Sequence, residues 1–211
     1  LINRGIKTPD KIDSFLNPDI RKLSDPCDLP DVTIAVQRIK EALRLRQRIL
    51  VHGDYDVDGI TATAIMYQGL CKFGLDVHYF IPNRIIHGYG FNLAGLKKAK
   101  DIGANLIITV DCGISSFEAV SKANTLGIDV IITDHHEPLR RSEVKSNESR
   151  VSEFLLPEAL AIINPKLILN NPYLILSGAG VAFMLIMALF ENNIADVYEF
   201  FDLAALGTVA D

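Results

Sequence analysis

Carboxylates and imidazoles directly follow apolar runs in four short segments of the 211-residue sequence, at 52–59, 110–113, 133–136 and 209–211. Because the carboxyl ends of parallel strands meet at one edge of a sheet, we expect these groups to converge. Carboxylate oxygens bind hard divalent cations, and imidazole beside carboxylate suits Mn²⁺ better than Mg²⁺. The four segments therefore predict a metal site.

The first segment contains three aspartates, Asp54, Asp56 and Asp58, in alternating positions. On an extended backbone alternate residues point to the same side, so the three carboxylates would repel one another unless cations lie between them. An exposed acidic turn and a helix N-cap are the other interpretations. A calcium-binding EF-hand loop is excluded, because the twelfth position counted from Asp54 is Ile65 and not glutamate.

The second and third segments add Asp111 and the adjacent pair His135 and His136. A single histidine at the end of a strand is more often an ordinary hydrogen-bonding residue, but two adjacent histidines favour a functional role. Asp111 follows a mainly apolar run, so its carboxylate must lie at the sheet edge or be paired, and it could instead cap the next helix. As a bridge between two cations ~3.5 to 4 Å apart, it would help to activate a water for attack on phosphorus. Phosphoester hydrolysis is the predicted reaction.

Three further segments could contact a phosphate or a base. Arg84 ends another predicted strand and offers a fork of donors to phosphate, although a surface arginine is an equally good interpretation. The glycine-punctuated segment 87–92 contains two aromatic residues and predicts either base stacking or a packed turn. The segment 178–180 opens a helix, where free amides could bind an anion, but close packing is the favoured interpretation.

The apolar pattern predicts the elements that must position these residues. Predicted strands cover 49–51, 76–81, 106–110, 130–133 and 159–163, and predicted helices cover 10–16, 32–46, 60–70, 93–100, 117–126, 181–190 and a last segment from 197. This alternation predicts an α/β fold with a doubly wound parallel sheet and helices on both faces. Residues 1–30 are predicted to form an irregular lead-in, 138–157 a long polar loop, and 31–211 the catalytic domain.

Composition limits the class of protein. With 49% hydrophobic and 22% charged residues, the chain can bury one substantial core. Its three cysteines form no CxxC pair, which argues against a disulfide framework and a thiolate zinc site. No apolar stretch reaches the ~18 residues of a membrane span and no signal peptide is evident, so a cytoplasmic location is expected. The net charge of −5 does not indicate a nucleic-acid-binding protein. It does not exclude one, because bound divalent cations would reverse the sign of the charge in an acidic cleft.

With the four motifs in this order, the sequence resembles the DHH phosphoesterase superfamily, whose naming motif is present at 134–136. The segments 52–59, 81–84, 88–90, 164–165 and 178–183, with 4–6 and 15–18 in the lead-in, are similar to RecJ-type single-strand-specific 5′-to-3′ DNA exonucleases. The resemblance covers essentially the whole chain. It implies a hydrolase of DNA repair and recombination that uses two divalent cations, Mn²⁺ preferred and Mg²⁺ the alternative.

The resemblance also implies the cation ligands. One cation would be held by Asp56 and Asp111 with His52 or Asp54 nearby, and the other by Asp58, Asp111, His135 and Asp211. Asp111 would thus bridge the two cations.

Further roles and partners follow from the same resemblance. His136 would contact the scissile phosphate, Asp134 would orient the two histidines, and Arg84 would bind the 5′-terminal phosphate of the substrate. The implied partners are single-stranded DNA with a 5′ end, a single-strand-binding protein and a RecQ-type helicase, with no membrane.

The sequence is shorter than the RecJ-like enzymes that it resembles. DHH-associated and oligonucleotide-binding domains follow the fourth motif in RecJ-like enzymes and are absent here, so we expect a fragment in which the terminal Asp211 is a weak ligand. The alternatives within the superfamily are an oligonucleotide or cyclic-dinucleotide phosphodiesterase and a pyrophosphatase. A non-catalytic DHH-like replication scaffold is the alternative of another class, and the filled ligand positions argue against it.

Overall fold

The computed structural model describes residues 2–19, 23–140, 154–168 and 173–211. Most of the predicted polar loop, 141–153, lies outside these residues. The strands are β1 Arg48–His52, β2 Asp76–Phe80, β3 Leu106–Val110, β4 Asp129–Thr133, β5 Leu139–Arg140, β6 Phe154–Leu155 and β7 Ala161–Ile163. The helices are α1 Pro9–Leu16, α2 Val32–Arg44, α3 Val57–Lys72, α4 Leu93–Asp101, α5 Phe117–Thr125, α6 Gly178–Leu189, α7 Ile194–Val197 and α8 Phe201–Ala210.

Five of these strands form one parallel sheet in the order β2-β1-β3-β4-β7, and β5 pairs with β6 as a separate antiparallel ribbon. The chain passes from β1 to β2 on one side and then returns to β3 on the other side of β1. This reversal creates a crevice at the carboxyl ends of β1 and β3, which is where open α/β sheets bind ligands.

Helices cover both faces of the sheet, which confirms the predicted doubly wound α/β fold. Successive strand residues point to opposite faces, so Ile49 and Val51 pack on one side and Leu50 on the other. The first face carries α2, α3, α6 and α8, and the second carries α4 and α5. Helix α6 is buried along its entire length, which explains its almost wholly apolar sequence.

Some predicted boundaries differ from the structure. Helix α3 begins at Val57 and not at residue 60, because the Asp56 side chain caps its first turn through a 2.8 Å bond from the Gly59 N–H. Asp58 is therefore helical, and the three aspartates do not share one extended segment. The glycines of segment 178–180 belong to the first turn of α6, and the last predicted helix begins at Phe201, after α7 and a short 3₁₀ turn.

Among the helices that the structure describes, none combines the length and the hydrophobicity needed to span a membrane.

Candidate metal centre

Carboxylates and imidazoles meet at the carboxyl edge of β1, β3 and β4 in overlapping groups whose candidate ligand atoms lie within 4.8 Å of one another. We call Asp54, Asp56 and Asp111 the aspartate group, and Asp58, His135 and Asp211 the histidine group. A third group consists of Asp111, His135 and His136. Six of the seven residues predicted to hold cations therefore lie at one place in the fold, and the seventh is His52.

Asp111 connects the two main groups. Its carboxylate Oδ1 lies 3.1 Å from His135 Nε2, which in turn lies 3.7 Å from Asp58 Oδ2. Asp111 follows the last residue of β3 and has a φ of 57°, a left-handed conformation that is uncommon for a residue other than glycine. Such backbone strain is concentrated at functional sites, and here it turns the side chain of a nearly fully buried residue into the crevice.

Two of the buried carboxylates are only partly compensated by their neighbours. Asp54 Oδ1 and Asp111 Oδ1 have no well-aligned hydrogen-bond donor among the described residues, and Asp111 Oδ1 has the His135 ring at 3.1 Å as its one described cationic neighbour. Burial raises the pKa of Asp111 to about 7, against the opposing effect of His135. Burial also raises the pKa of Asp54, and the charge of Asp56 adds to that effect. Divalent cations would supply the missing positive charge, so this donor set fits a metal centre.

The histidine group is completed by an exposed residue. His135 Nδ1 lies 3.9 Å from Asp211 Oδ2, and the Asp211 side chain is 47% exposed. Burial lowers the pKa of His135, but the hydrogen-bonding and charge effects of Asp111 outweigh it, so the net pKa is raised. The imidazole and two carboxylates of this group are suitable ligands for Mn²⁺.

Asp134 and His136 form a close pair beside these groups. His136 Nδ1 lies 2.7 Å from Asp134 Oδ1, and the buried Asp134 also accepts backbone N–H bonds from His135 at 2.8 Å and Ile114 at 2.9 Å. The hydrogen bond that His136 donates to Asp134 is the main reason why the pKa of His136 is raised to about 9. The Tyr89 hydroxyl also lies close to the His136 ring, 3.2 Å from Nε2 and 3.4 Å from Nδ1.

His52 and Arg84 lie apart from the ligand groups. His52 ends β1 on the face that carries α4, where its ring packs against Phe80 and Phe91, and burial lowers its pKa to about 4. Its Nδ1 lies 3.8 Å from the Cys112 sulfur. Arg84 is exposed on the loop after β2, with its guanidinium carbon 5.4 Å from the centroid of the Tyr55 ring. Their predicted ligand and phosphate roles remain predictions.

Tyr89 is a site residue that the sequence did not identify beyond its glycine-punctuated segment. It lies between two adjoining clefts, of about 380 and 440 Å³, that both extend over Ser115 and Ser116 at the start of α5. The smaller cleft reaches Asp134 and His136. A groove of this size and polarity beside His136 can accommodate part of a nucleotide.

The segment 164–165 also contributes to the site. The Asn164 side chain donates a 2.9 Å hydrogen bond to the backbone carbonyl of His136 and accepts one from the Lys166 N–H at 2.9 Å. Asn164 thereby attaches the end of β7 to the strand end that carries the histidines.

Comparison with known proteins gives consistent matches. The family model for the DHH family, N-terminal domain, matches residues 48–208. The single-stranded-DNA-specific exonuclease RecJ of Bacillus subtilis is 39% identical over 212 residues, and that alignment covers 100% of this chain and 25% of the relative.

Solved structures agree with this result. A crystal structure of exonuclease RecJ bound to manganese matches with a TM-score of 0.74 and 38% identity, covering 87% of this chain and 43% of the other. RecJ in complex with Mg²⁺ from Thermus thermophilus matches with a TM-score of 0.58 and 31% identity, covering 100% of this chain and 23% of the other. The chain thus spans less than half the length of these three proteins, between 23% and 43%.

Proposed function

Since the chain belongs to the DHH family, we propose that it is the catalytic domain of a single-strand-specific exonuclease that hydrolyses DNA from the 5′ end with two divalent cations. The observation that carries this proposal is the position of Asp111, within reach of both the aspartate group and the histidine group. A carboxylate shared by two cation sites would hold the ions close together, which suits two-metal phosphodiester hydrolysis.

Each cation has a distinct set of ligands in this proposal. The aspartate group, Asp54, Asp56 and Asp111, would hold one ion, and the histidine group with Asp111 would hold the other. Mn²⁺ is the preferred ion because imidazole is among the ligands, and Mg²⁺ is the alternative. Similar RecJ structures contain manganese or Mg²⁺. When bound, the cations supply an activated water and neutralise charge on the phosphate.

The remaining residues would bind and orient the substrate. His136 carries a raised pKa of about 9, so it is protonated near neutral pH and can donate a hydrogen bond to a phosphate oxygen. Asp134 holds the other side of that ring and orients it. Arg84 would bind the terminal 5′-phosphate through its forked donors. Asp111, Asp134 and His136 are the proposed catalytic residues.

A substrate panel tests the proposal. Hydrolysis in Mn²⁺, measured as nucleotide release from DNA and as orthophosphate release from pyrophosphate, should be fastest for a 5′-phosphorylated single strand, slower for a dinucleotide, and undetectable for blunt duplex DNA and pyrophosphate. Asp111→Asn should lower the rate on the single strand by at least about 10²-fold, because it removes the shared charge between the cations. Glu41→Gln, an exposed change on α2 distant in the fold from the crevice, is the matched control.

The same panel separates the alternatives. Pyrophosphate or a cyclic dinucleotide as the preferred substrate would replace the exonuclease proposal with another activity of the superfamily. A protein that binds Mn²⁺ equally weakly with and without Asp111 would support a scaffold.

The wider setting is also proposed from the resemblance. The proposed partners are single-stranded DNA with a 5′ end, a single-strand-binding protein and a RecQ-type helicase, in DNA repair and recombination in the cytoplasm. We propose residues 31–211 as the catalytic domain. The packing of α2 on α6 and the 2.9 Å bond from the Ile162 N–H to the Asp31 carboxylate support a domain start before β1.

A further inference from the structure

The amino-terminal end of α6 points at the metal centre. The Gly178 N–H donates to Asp58 Oδ2 at 2.6 Å, and the Ala179 N–H donates to Asp58 Oδ1 at 2.8 Å. The next amide, that of Gly180, bonds the capping side chain of Ser177 at 3.3 Å. The first two N–H groups of this 12-residue helix therefore both bind one buried carboxylate of the histidine group.

Two glycines leave the space that this contact needs. A Cβ on Gly178 would overlap Asp111 Oδ1 and lie 2.5 Å from Asp111 Cβ. A Cβ on Gly207 of α8 would lie 2.5 Å from Ala179 Cβ on α6, 2.6 Å from Thr61 Oγ1 and 2.7 Å from Asp58 Oδ1. Real Cβ atoms essentially never approach other atoms so closely, so either substitution must displace a candidate ligand or move a helix.

We propose that the Gly178 and Ala179 amides, which open α6, are a structural part of the metal centre, and that Gly178 and Gly207 are positioning residues for Asp111 and Asp58 respectively. This inference rests on the proposed two-cation function. The two amides fix both oxygens of Asp58 on one side and leave the carboxylate facing His135 on the other. Because Asp111 belongs to both sites and Asp58 to one, the two glycines have different consequences.

Mn²⁺ binding to the 211-residue chain, measured by calorimetry and by electron paramagnetic resonance, tests this difference. The wild-type chain should bind two ions. Gly207→Ala should displace Asp58 and α8, which carries Asp211, and so weaken one site by at least about tenfold while the other keeps its affinity. Gly178→Ala should displace the shared Asp111 and weaken both sites by at least about tenfold.

Two control variants separate a positioning role from a packing role. Gly180→Ala lies in the same turn, and the three atoms nearest to its Cβ would all belong to the flexible Leu176 side chain, the nearest at 3.0 Å. Gly69→Ala disturbs the packing of α3 on α6, since its Cβ would lie 2.7 Å from Ile186 Cδ1, without touching a carboxylate. Both variants should bind two ions with wild-type affinity, and Gly69→Ala should do so despite a lower melting temperature. Two wild-type sites in Gly178→Ala and Gly207→Ala would overturn the inference.

Hydrogen exchange of the helix amides supplies a readout that needs no glycine variant. Asp58→Ala should speed exchange of the Gly178 and Ala179 amides by about tenfold or more, and leave the Gly180 amide slow. Unchanged exchange at Gly178 and Ala179 would overturn the inference. A wild-type chain that binds fewer than two ions would instead overturn the two-cation function itself, so the two failures are distinguishable.

Discussion

His136 Nδ1 lies 2.7 Å from Asp134 Oδ1, and this pair is held at the end of β4 by three further backbone N–H bonds to the same carboxylate. The pKa of Asp134 is lowered, because the bonds and charge of His136 and the backbone N–H groups outweigh the effect of burial. The pKa of His136 is raised to about 9, mainly by the hydrogen bond that its ring donates to Asp134. Near neutral pH the pair is therefore an ionised carboxylate and an imidazolium.

Asp134→Asn should return the pKa of His136 toward its ordinary value of 6.5, since the charge that stabilises the imidazolium is lost. An NMR titration of the His136 ring measures this change. Exonuclease activity near pH 8 should fall by about 10²-fold, because His136 becomes neutral there. A His136 pKa that stays near 9 in Asp134→Asn would show that another group stabilises the imidazolium.

The stability of the metal-free protein should fall as the pH rises from about 6 to about 9. A raised folded-state pKa means that the folded protein binds the proton more tightly, so stability is lost as the pH passes through that pKa. His136 loses its contribution between 6.5 and about 9, and Asp111 loses its contribution between 3.8 and about 7. Urea unfolding in EDTA should give about 2 kcal/mol less stability near pH 9 than near pH 6, with partly exposed His136 discounted.

Saturating Mn²⁺ should reduce or reverse that pH dependence. The ligands bind cations in their deprotonated form, so Mn²⁺ competes with the proton on Asp111 and binds more tightly as the pH rises. A concentration of about 100 times the Kd should stabilise the protein by about 2.7 kcal/mol per site. Asp111→Asn is the control, because in EDTA it should be more stable than the wild type near pH 8 and gain little from Mn²⁺. An equally steep pH dependence in Asp111→Asn would contradict this account.

The location of the site was predictable from the sequence, and its internal grouping was not. In a parallel sheet, the residues that follow the strands near positions 50, 108 and 131 lie at the same edge. The structure places these strands, β1, β3 and β4, next to one another in the sheet. The extended arrangement predicted for the three aspartates was wrong, because the Asp56 cap starts α3 and turns Asp58 into the histidine group. A local capping bond thus determines which site each carboxylate joins.

The sequence motif predicted His52 as a metal ligand but could not show the direction of its side chain. Its position two residues after Leu50 places it on the α4 face, where a Cβ on Gly95 would overlap the ring at Cδ2 and lie 2.5 Å from Nε2. The sequence motif identifies a histidine at this position but does not show how its ring packs.

The contribution of Tyr89 could not be predicted from the sequence for a different reason. Tyr89 lies on a loop, where no hydrophobic periodicity applies, and it contacts His136, which is 47 residues later in the sequence.

Tyr89→Phe should lower kcat by about fivefold and leave KM unchanged. The change removes the hydroxyl near His136 Nε2 and keeps the aromatic ring that lines the two clefts. The lost hydrogen bond contributes about 1 kcal/mol. Steady-state kinetics on a single strand measures both constants. Tyr79→Phe, an exposed tyrosine on β2 whose ring contacts Tyr67, is the matched control. A raised KM with constant kcat would show instead that the Tyr89 hydroxyl binds the DNA.

Arg84→Ala should remove the preference for a phosphorylated 5′ end. Arg84 is exposed beside the Tyr55 ring, and no described acidic side chain pairs with its guanidinium, so the fork of donors is available to a phosphate. The rate on a 5′-phosphorylated strand should fall by about 10²-fold, whereas the rate on a 5′-hydroxyl strand should change by less than about twofold.

Arg44→Ala, on α2 and paired only with Glu41 among the described residues, is the matched control and should match the wild type on both strands. Tyr55→Leu should give a smaller loss on the phosphorylated strand alone, because it removes the ring that orients the guanidinium. Equal losses on both strands would mean that Arg84 binds an internal phosphate and that the 5′ end is recognised elsewhere.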